Sequence, residues 1–213
     1  MPPRSFRSAL RRGGGALAAL GAALTLAARP SRFKEGPPPA HTGGFGEPTC
    51  RQCHADAGLN EPGGRLAIAG VPSGYIPGRT YELAVSLERA GMLRAGFQLA
   101  ARFAAGDLAG TQAGVLSPVD ARTAIVSDSL THVSYIEHTL LGTAVASGGA
   151  GGAGGAGGAG GSSAARWTFR WTAPVTGTGA VVLHVAANAA NDDDSPLGDF
   201  IYASAVQVPP GPR

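Results

Sequence analysis

Cysteine is nearly absent: the 213-residue chain has two, Cys50 and Cys53. That excludes the multi-bridge disulfide framework of small secreted domains and a four-cysteine zinc site. Lysine is scarcer still, with Lys34 alone, and no Lys/Arg cluster is interleaved with aromatics, so nucleic-acid binding is not expected. No nucleophile elbow, metalloprotease motif or phosphate loop occurs, so no catalytic motif speaks for an enzyme. No convincing amphipathic helix separates the strand-like segments, which argues against an α/β crossover architecture.

Glycine, by contrast, is abundant: 34 residues, with 16 prolines beside them. The excess is local, because Gly148 to Gly161 alone holds ten glycines. That tract lacks the side chains needed to bury a core, so ordering it costs entropy without return. It reads as a flexible loop (148–161) inserted between two strands of one domain. An interdomain linker is the alternative, but few strands follow it.

The formal net charge of +3 is also local. Arg4, Arg7, Arg11 and Arg12 precede an apolar run from Ala16 to Ala28, and no acid lies among them. Removing these four of 17 bases leaves 13 against 14 acids, so the remaining body is near neutral. A basic start, an apolar stretch shorter than the roughly 20 residues of a membrane span, and small residues at its end fit a signal peptide over 1–28. An uncleaved membrane anchor is the competing reading. The expected localisation is periplasmic or extracellular, with no membrane anchor after signal cleavage.

Residues 29–48 carry Pro37-Pro38-Pro39 and Gly43-Gly44 and read as a Pro/Gly-rich linker. From Arg65 onward the pattern is β. Strands are expected at Leu66–Ile68, Tyr81–Leu87, Phe97–Phe103, Gln112–Leu116, Thr123–Ser127, Val133–His138, Arg166–Trp171, Ala180–Ala187 and Phe200–Val208. The expected fold is all-β, an immunoglobulin-like antiparallel sandwich over 49–208, with a short tail at 209–213.

The segment Cys50-Arg51-Gln52-Cys53-His54 carries the chemistry. Thiols three positions apart can each form a thioether to one haem, and the next residue, His54, can present its imidazole to the iron. The expected cofactor is haem c, held by Cys50 and Cys53 with His54 as proximal ligand. A disulfide, a thioredoxin-like redox pair and a partial zinc site compete with this reading. The second axial ligand is open among His41, Met92, His132, His138 and His184. Met92 follows Gly91 in a loop-like segment and offers a thioether; His184 sits in an apolar strand and has the character of a packed core residue.

Several segments, in order, resemble one family. They are Gly46-Glu47-Pro48-Thr49 leading into Cys50–His54, Gly70 to Tyr81, Gly96-Phe97-Gln98-Leu99, Tyr135-Ile136-Glu137-His138-Thr139, Trp167 to Pro174, and Ala187 to Asn191. Together they are similar to the bacterial choice-of-anchor V proteins, which are related to Reeler (reelin N-terminal) domains. The resemblance spans roughly 45–208 and implies an extracytoplasmic β-sandwich. It also favours His138 as the distal iron ligand, with Met92 the weaker candidate. The chain departs from the family in its glycine tract and in its ending at Pro209–Arg213, where a membrane or surface anchor is common.

The polar group Asn188, Asn191, Asp192, Asp193, Asp194 and Asp199 matches no defensible calcium loop and reads as a solvated turn. Two functions follow. The first is an exported mono-haem cytochrome-like electron carrier whose partner is another exported redox protein. The second is a non-enzymatic Reeler-type binding or adhesion module in which the cysteines form a disulfide or the haem is structural.

Overall fold

The computed structural model describes residues 33–148, 162–175 and 179–212. The expected signal segment and most of the glycine tract lie outside them. Among the described residues ten strands form: β1 (Gly64–Ala69), β2 (Thr80–Ala90), β3 (Arg94–Phe103), β4 (Val115–Pro118), β5 (Thr123–Ser127), β6 (Ser134–His138), β7 (Ala146–Gly148), β8 (Ser162–Thr172), β9 (Val181–Ala190) and β10 (Phe200–Val208). Among the described residues the only helical elements are two 3₁₀ turns, Cys50–Gln52 and Leu141–Thr143.

The strands make two antiparallel sheets. The first runs β1-β2-β8-β4, with β7 also on β8; the second runs β10-β9-β3-β6-β5. This is the all-β, immunoglobulin-like sandwich expected. The strand β8 shows why: Trp167, Phe169 and Trp171 are buried while the alternating Arg166, Thr168 and Arg170 are exposed or half-buried, the period-two burial of a strand with one face on a core. From the facing sheet Phe97, Leu99, Leu183 and Val185 meet them, and the Phe97 and Trp167 rings lie 4.6 Å apart. Each such side chain, fully buried, contributes about 1.5–3 kcal/mol of transfer free energy.

Gly148 pairs with Ser162, so the glycine tract joins two neighbouring strands of one sheet. Met92 is 2 % exposed and belongs to the inter-sheet core.

The second sheet carries an unexpected third layer. In β3 every residue from Ala95 to Phe103 is buried, on both faces of the strand. The inner face meets the first sheet. The outer face, which includes Gln98 and Arg102, is covered by residues preceding β1. Those residues were expected to stand off as a linker. Instead Gln98 Nε2 donates to Pro38 O at 3.0 Å, and His41 N–H donates to Gln98 Oε1 at 2.8 Å. A buried glutamine amide on the sheet's outer face supplies the polar partners that a Pro-rich chain needs in order to pack there.

Candidate cofactor site

The chain ahead of the cysteines is clamped to the sheet before it reaches them. Thr42 and Thr49 bridge a tight loop, closed by Gly43 N–H donating to Pro48 O at 2.9 Å. From this loop Glu47 enters the outer face of the second sheet. It accepts from Thr42 Oγ1 at 2.6 Å and from the Tyr135 hydroxyl at 2.6 Å, and it forms a buried ion pair with Arg102. Phe45 packs edge-on to His184 at 5.4 Å, and the Arg102 guanidinium lies 5.4 Å from the Phe45 ring centre.

Thr49 then caps the 3₁₀ turn, its Oγ1 accepting from Arg51 N–H at 3.2 Å. Cys53 N–H and His54 N–H both donate to Cys50 O, at 3.2 and 3.1 Å. A 3₁₀ turn repeats every three residues, so positions 50 and 53 fall on one side of it. Both are free thiols, Cys50 half-buried and Cys53 exposed. Although part of Cys50 is open at the surface, protein crowding around its thiol pushes it up to about 12, and proximity to Cys53 adds to the rise against a backbone hydrogen bond that lowers it. An unmodified Cys50 is thus a protonated thiol rather than a thiolate.

His54 is held from behind. Its Nδ1 lies 2.7 Å from Asp199 Oδ2, and Asp199 is itself 1 % exposed. Asn188 Nδ2 donates to the same carboxylate oxygen at 3.0 Å, and Asn191 N–H donates to the other at 3.1 Å. The residues after His54 are tied along β10: Asn60 N–H donates to Ile201 O at 2.9 Å, and Ala203 N–H donates to Asn60 Oδ1 at 2.8 Å. Asp199 and Asn188 were expected in a solvated turn; both instead fix the orientation of an imidazole.

His138 is 7 % exposed and sits where β6 leaves β3. The ladder between the two strands begins at Gln98–Glu137, and the His138 ring takes the position of the next rung. Its Nδ1 lies 3.1 Å from Phe97 N and 3.2 Å from Phe97 O. One backbone residue therefore offers that nitrogen both a donor and an acceptor, and either ring tautomer is satisfied. With the proton on Nδ1, donated to Phe97 O, Nε2 presents a lone pair. Burial lowers the His138 pKa; hydrogen bonds to the Phe97 and Phe33 backbone and the Glu35 charge oppose that shift. Gly96 makes room for the ring, because a Cβ there would lie 2.6 Å from His138 Cε1. Beside it, burial pushes Glu137 up to about 7, against a hydrogen bond from Gln98 that lowers it.

Cys50, Cys53, His54 and His138 all line one cavity of about 410 Å³. Phe33, Pro37 and Pro38 give it apolar walls; Lys34 and Arg94 stand on it, paired with Asp194 at 3.2 Å and with Asp192. Asn188, also a lining residue, keeps a buried Oδ1 without a hydrogen-bond partner. Two thiols on one side of a turn, two imidazoles each steered through Nδ1, and apolar walls fit a covalently held haem. Among the described residues no three His, Cys, Asp or Glu side chains gather as a metal-ion site.

Three of the four other candidate ligands fall elsewhere. Met92 does not line the cavity: it is core, because Gly91 turns the β2–β3 hairpin and sends the thioether between the sheets. His132 sits in the Asp128–Val133 turn with a φ of 58°. His184 lies under Phe45, its pKa lowered by burial and then by the Arg102 charge. His41 reaches the cavity, but its Nε2 lies 2.8 Å from Gln52 Oε1 and its Nδ1 is near the Pro38 and Pro39 carbonyls.

No family model and no curated protein matches the chain. Among solved structures it is similar to the Reelin-N domain of F-spondin, at 20 % identity and a TM-score of 0.43 over 76 % of this chain and 97 % of that one. It is also similar to the human F-spondin reeler domain, at 19 % identity and a TM-score of 0.42 over 74 % and 98 %. A third likeness is to AvmM, which catalyses macrocyclization in alchivemycin A biosynthesis, at 17 % identity and a TM-score of 0.36 over 73 % and 93 %. At such low identity and overlap none assigns an activity or a family.

Proposed function

We propose that the chain is an exported mono-haem c-type electron carrier of choice-of-anchor V kind, in which Cys50 and Cys53 would hold the haem covalently and His54 and His138 would ligate its iron. One observation carries the reading. His138, distant in sequence, lines the same cavity as Cys50, Cys53 and His54, and its Nδ1 is held by the Phe97 backbone, which fixes the ring against that cavity.

When bound, the haem supplies a one-electron ferric–ferrous couple. The chain's part is to hold and tune it. The 3₁₀ turn presents both thiols, Asp199 orients His54, and Phe97 orients His138. Phe33, Pro37 and Pro38 would present apolar walls to the haem, which would limit reorganisation when charge changes. Cys53 is exposed, so one edge of the site is open to a partner, which we take to be another exported redox protein.

The reading is tested on protein exported from a host that attaches c-type haem. A pyridine haemochrome band of c type that resists acid–acetone extraction supports it. Its absence, with Cys50 and Cys53 joined in a disulfide, replaces it by the Reeler-type binding module.

A further inference from the structure

The two imidazoles on the cavity are held by different chemistry. The Nδ1 of His138 meets the neutral backbone of Phe97, whereas the Nδ1 of His54 meets the carboxylate of Asp199 at 2.7 Å. Asp199 is 1 % exposed, so its charge is not dispersed by water. Three groups converge on it: His54 Nδ1 and the Asn188 amide on Oδ2, and the Asn191 N–H on Oδ1; the Asn188 amide also lies 3.4 Å from His54 Nδ1. A carboxylate accepts all three; a protonated acid would lose one.

We propose that Asp199 is a positioning residue for His54 that makes it a strongly basic ligand and sets a low reduction potential for the haem. This rests on the haem reading above. A carboxylate accepting the Nδ1 proton fixes the tautomer with Nε2 unprotonated and pushes electron density onto the ring. A more basic ligand stabilises the more highly charged ferric iron over ferrous iron, so the potential falls. Asn188 moderates the effect, because its amide draws off part of the charge on the oxygen that faces His54. The assembly accordingly suits a carrier that takes an electron from a strong reductant and passes it to an exported acceptor of higher potential.

The test is a spectroelectrochemical titration of haem-loaded full-length protein and three variants. Asp199→Asn keeps an oxygen beside His54 and removes the charge; it should shift the ferric–ferrous equilibrium about tenfold toward ferrous, or ~59 mV upward for one electron. Asn188→Ala should shift it the opposite way, since Asp199 then loses a donor. Asp192→Asn, at the exposed rim and paired with Arg94, should shift it by much less. Equal shifts from Asp192→Asn and Asp199→Asn, or no shift from Asp199→Asn, overturn the inference while leaving the haem reading standing. If Asp199→Asn does not fold, the sign of the Asn188→Ala shift decides: downward supports, upward or none overturns. Wild-type protein without covalent haem overturns the haem reading and this inference with it. A further readout needs no haem: nitrogen NMR of the haem-free protein should show His54 protonated at Nδ1, and the Nε2-protonated tautomer overturns the assignment.

Discussion

Arg102 of β3 and Glu47 of the loop before the cysteines form a buried ion pair, each side chain under a tenth exposed. Tyr135 donates its hydroxyl to Glu47, and the Arg102 guanidinium stacks toward Phe45 and Tyr135. The pair anchors the haem-motif segment to a sheet face that would otherwise be solvated. Removing one partner leaves the other charge buried and unpaired, which costs about 3–5 kcal/mol. Glu47→Ala should therefore lower the urea midpoint strongly. Glu47→Leu combined with Arg102→Met should recover much of the loss, and a double variant as unstable as Glu47→Ala would contradict the anchoring role.

Gly96 and His138 give a steric test of the proposed second iron ligand. A Cβ at position 96 would stand 2.6 Å from His138 Cε1 and 2.9 Å from Nε2. Gly96→Ala should displace the ring and mimic His138→Ala, converting a six-coordinate low-spin spectrum to a high-spin one. Met92→Leu should leave the spectrum unchanged. A low-spin spectrum that survives both Gly96→Ala and His138→Ala assigns the sixth position to another residue.

Met92 has a different consequence. It is 2 % exposed and packed in the core. Met92→Ala should cost about 2–5 kcal/mol of stability through lost burial and a residual cavity, with the haem spectrum unaltered. Calorimetry and visible absorption on the same sample separate the two effects.

His184 supplies a pH dependence. Burial, and then the Arg102 charge, hold its pKa below the ordinary value. The unfolded chain therefore takes up the proton first as pH falls. The stability from a neutral His184 is fully present above roughly pH 6.5 and is lost as pH drops below that value toward the lowered one. His184→Gln should lose less stability than wild type between about pH 7 and pH 5, measured by urea denaturation. Equal losses in both proteins would show that His184 titrates normally.

Much of the sandwich is legible in the sequence because one-sided burial leaves a period-two trace. Thr123–Ser127 and Phe200–Val208 are readable to the residue, and Trp167, Phe169 and Trp171 mark β8 plainly. The strand β7 escapes because Ala146-Ser147-Gly148 has no alternation and runs into the glycine tract. The third layer escapes for a physical reason as well. Gln98, Arg102 and Glu137 occupy outward positions where polar residues usually meet water, yet here they meet Pro38, Glu47 and each other. The Cys50–His54 expectation rests on spacing alone, and the His138 expectation on the resemblance to choice-of-anchor V proteins. Asp199 carries no local signal: only the pairing of β9 with β10 brings it beneath His54.

The most direct test is the pyridine haemochrome spectrum of purified, exported wild-type protein beside the Cys50→Ser, Cys53→Ser double variant. The expected result is one covalent c-type haem per chain in the wild type, retained through acid–acetone extraction, and none in the variant. A colourless wild type from a host competent in haem attachment would contradict the account.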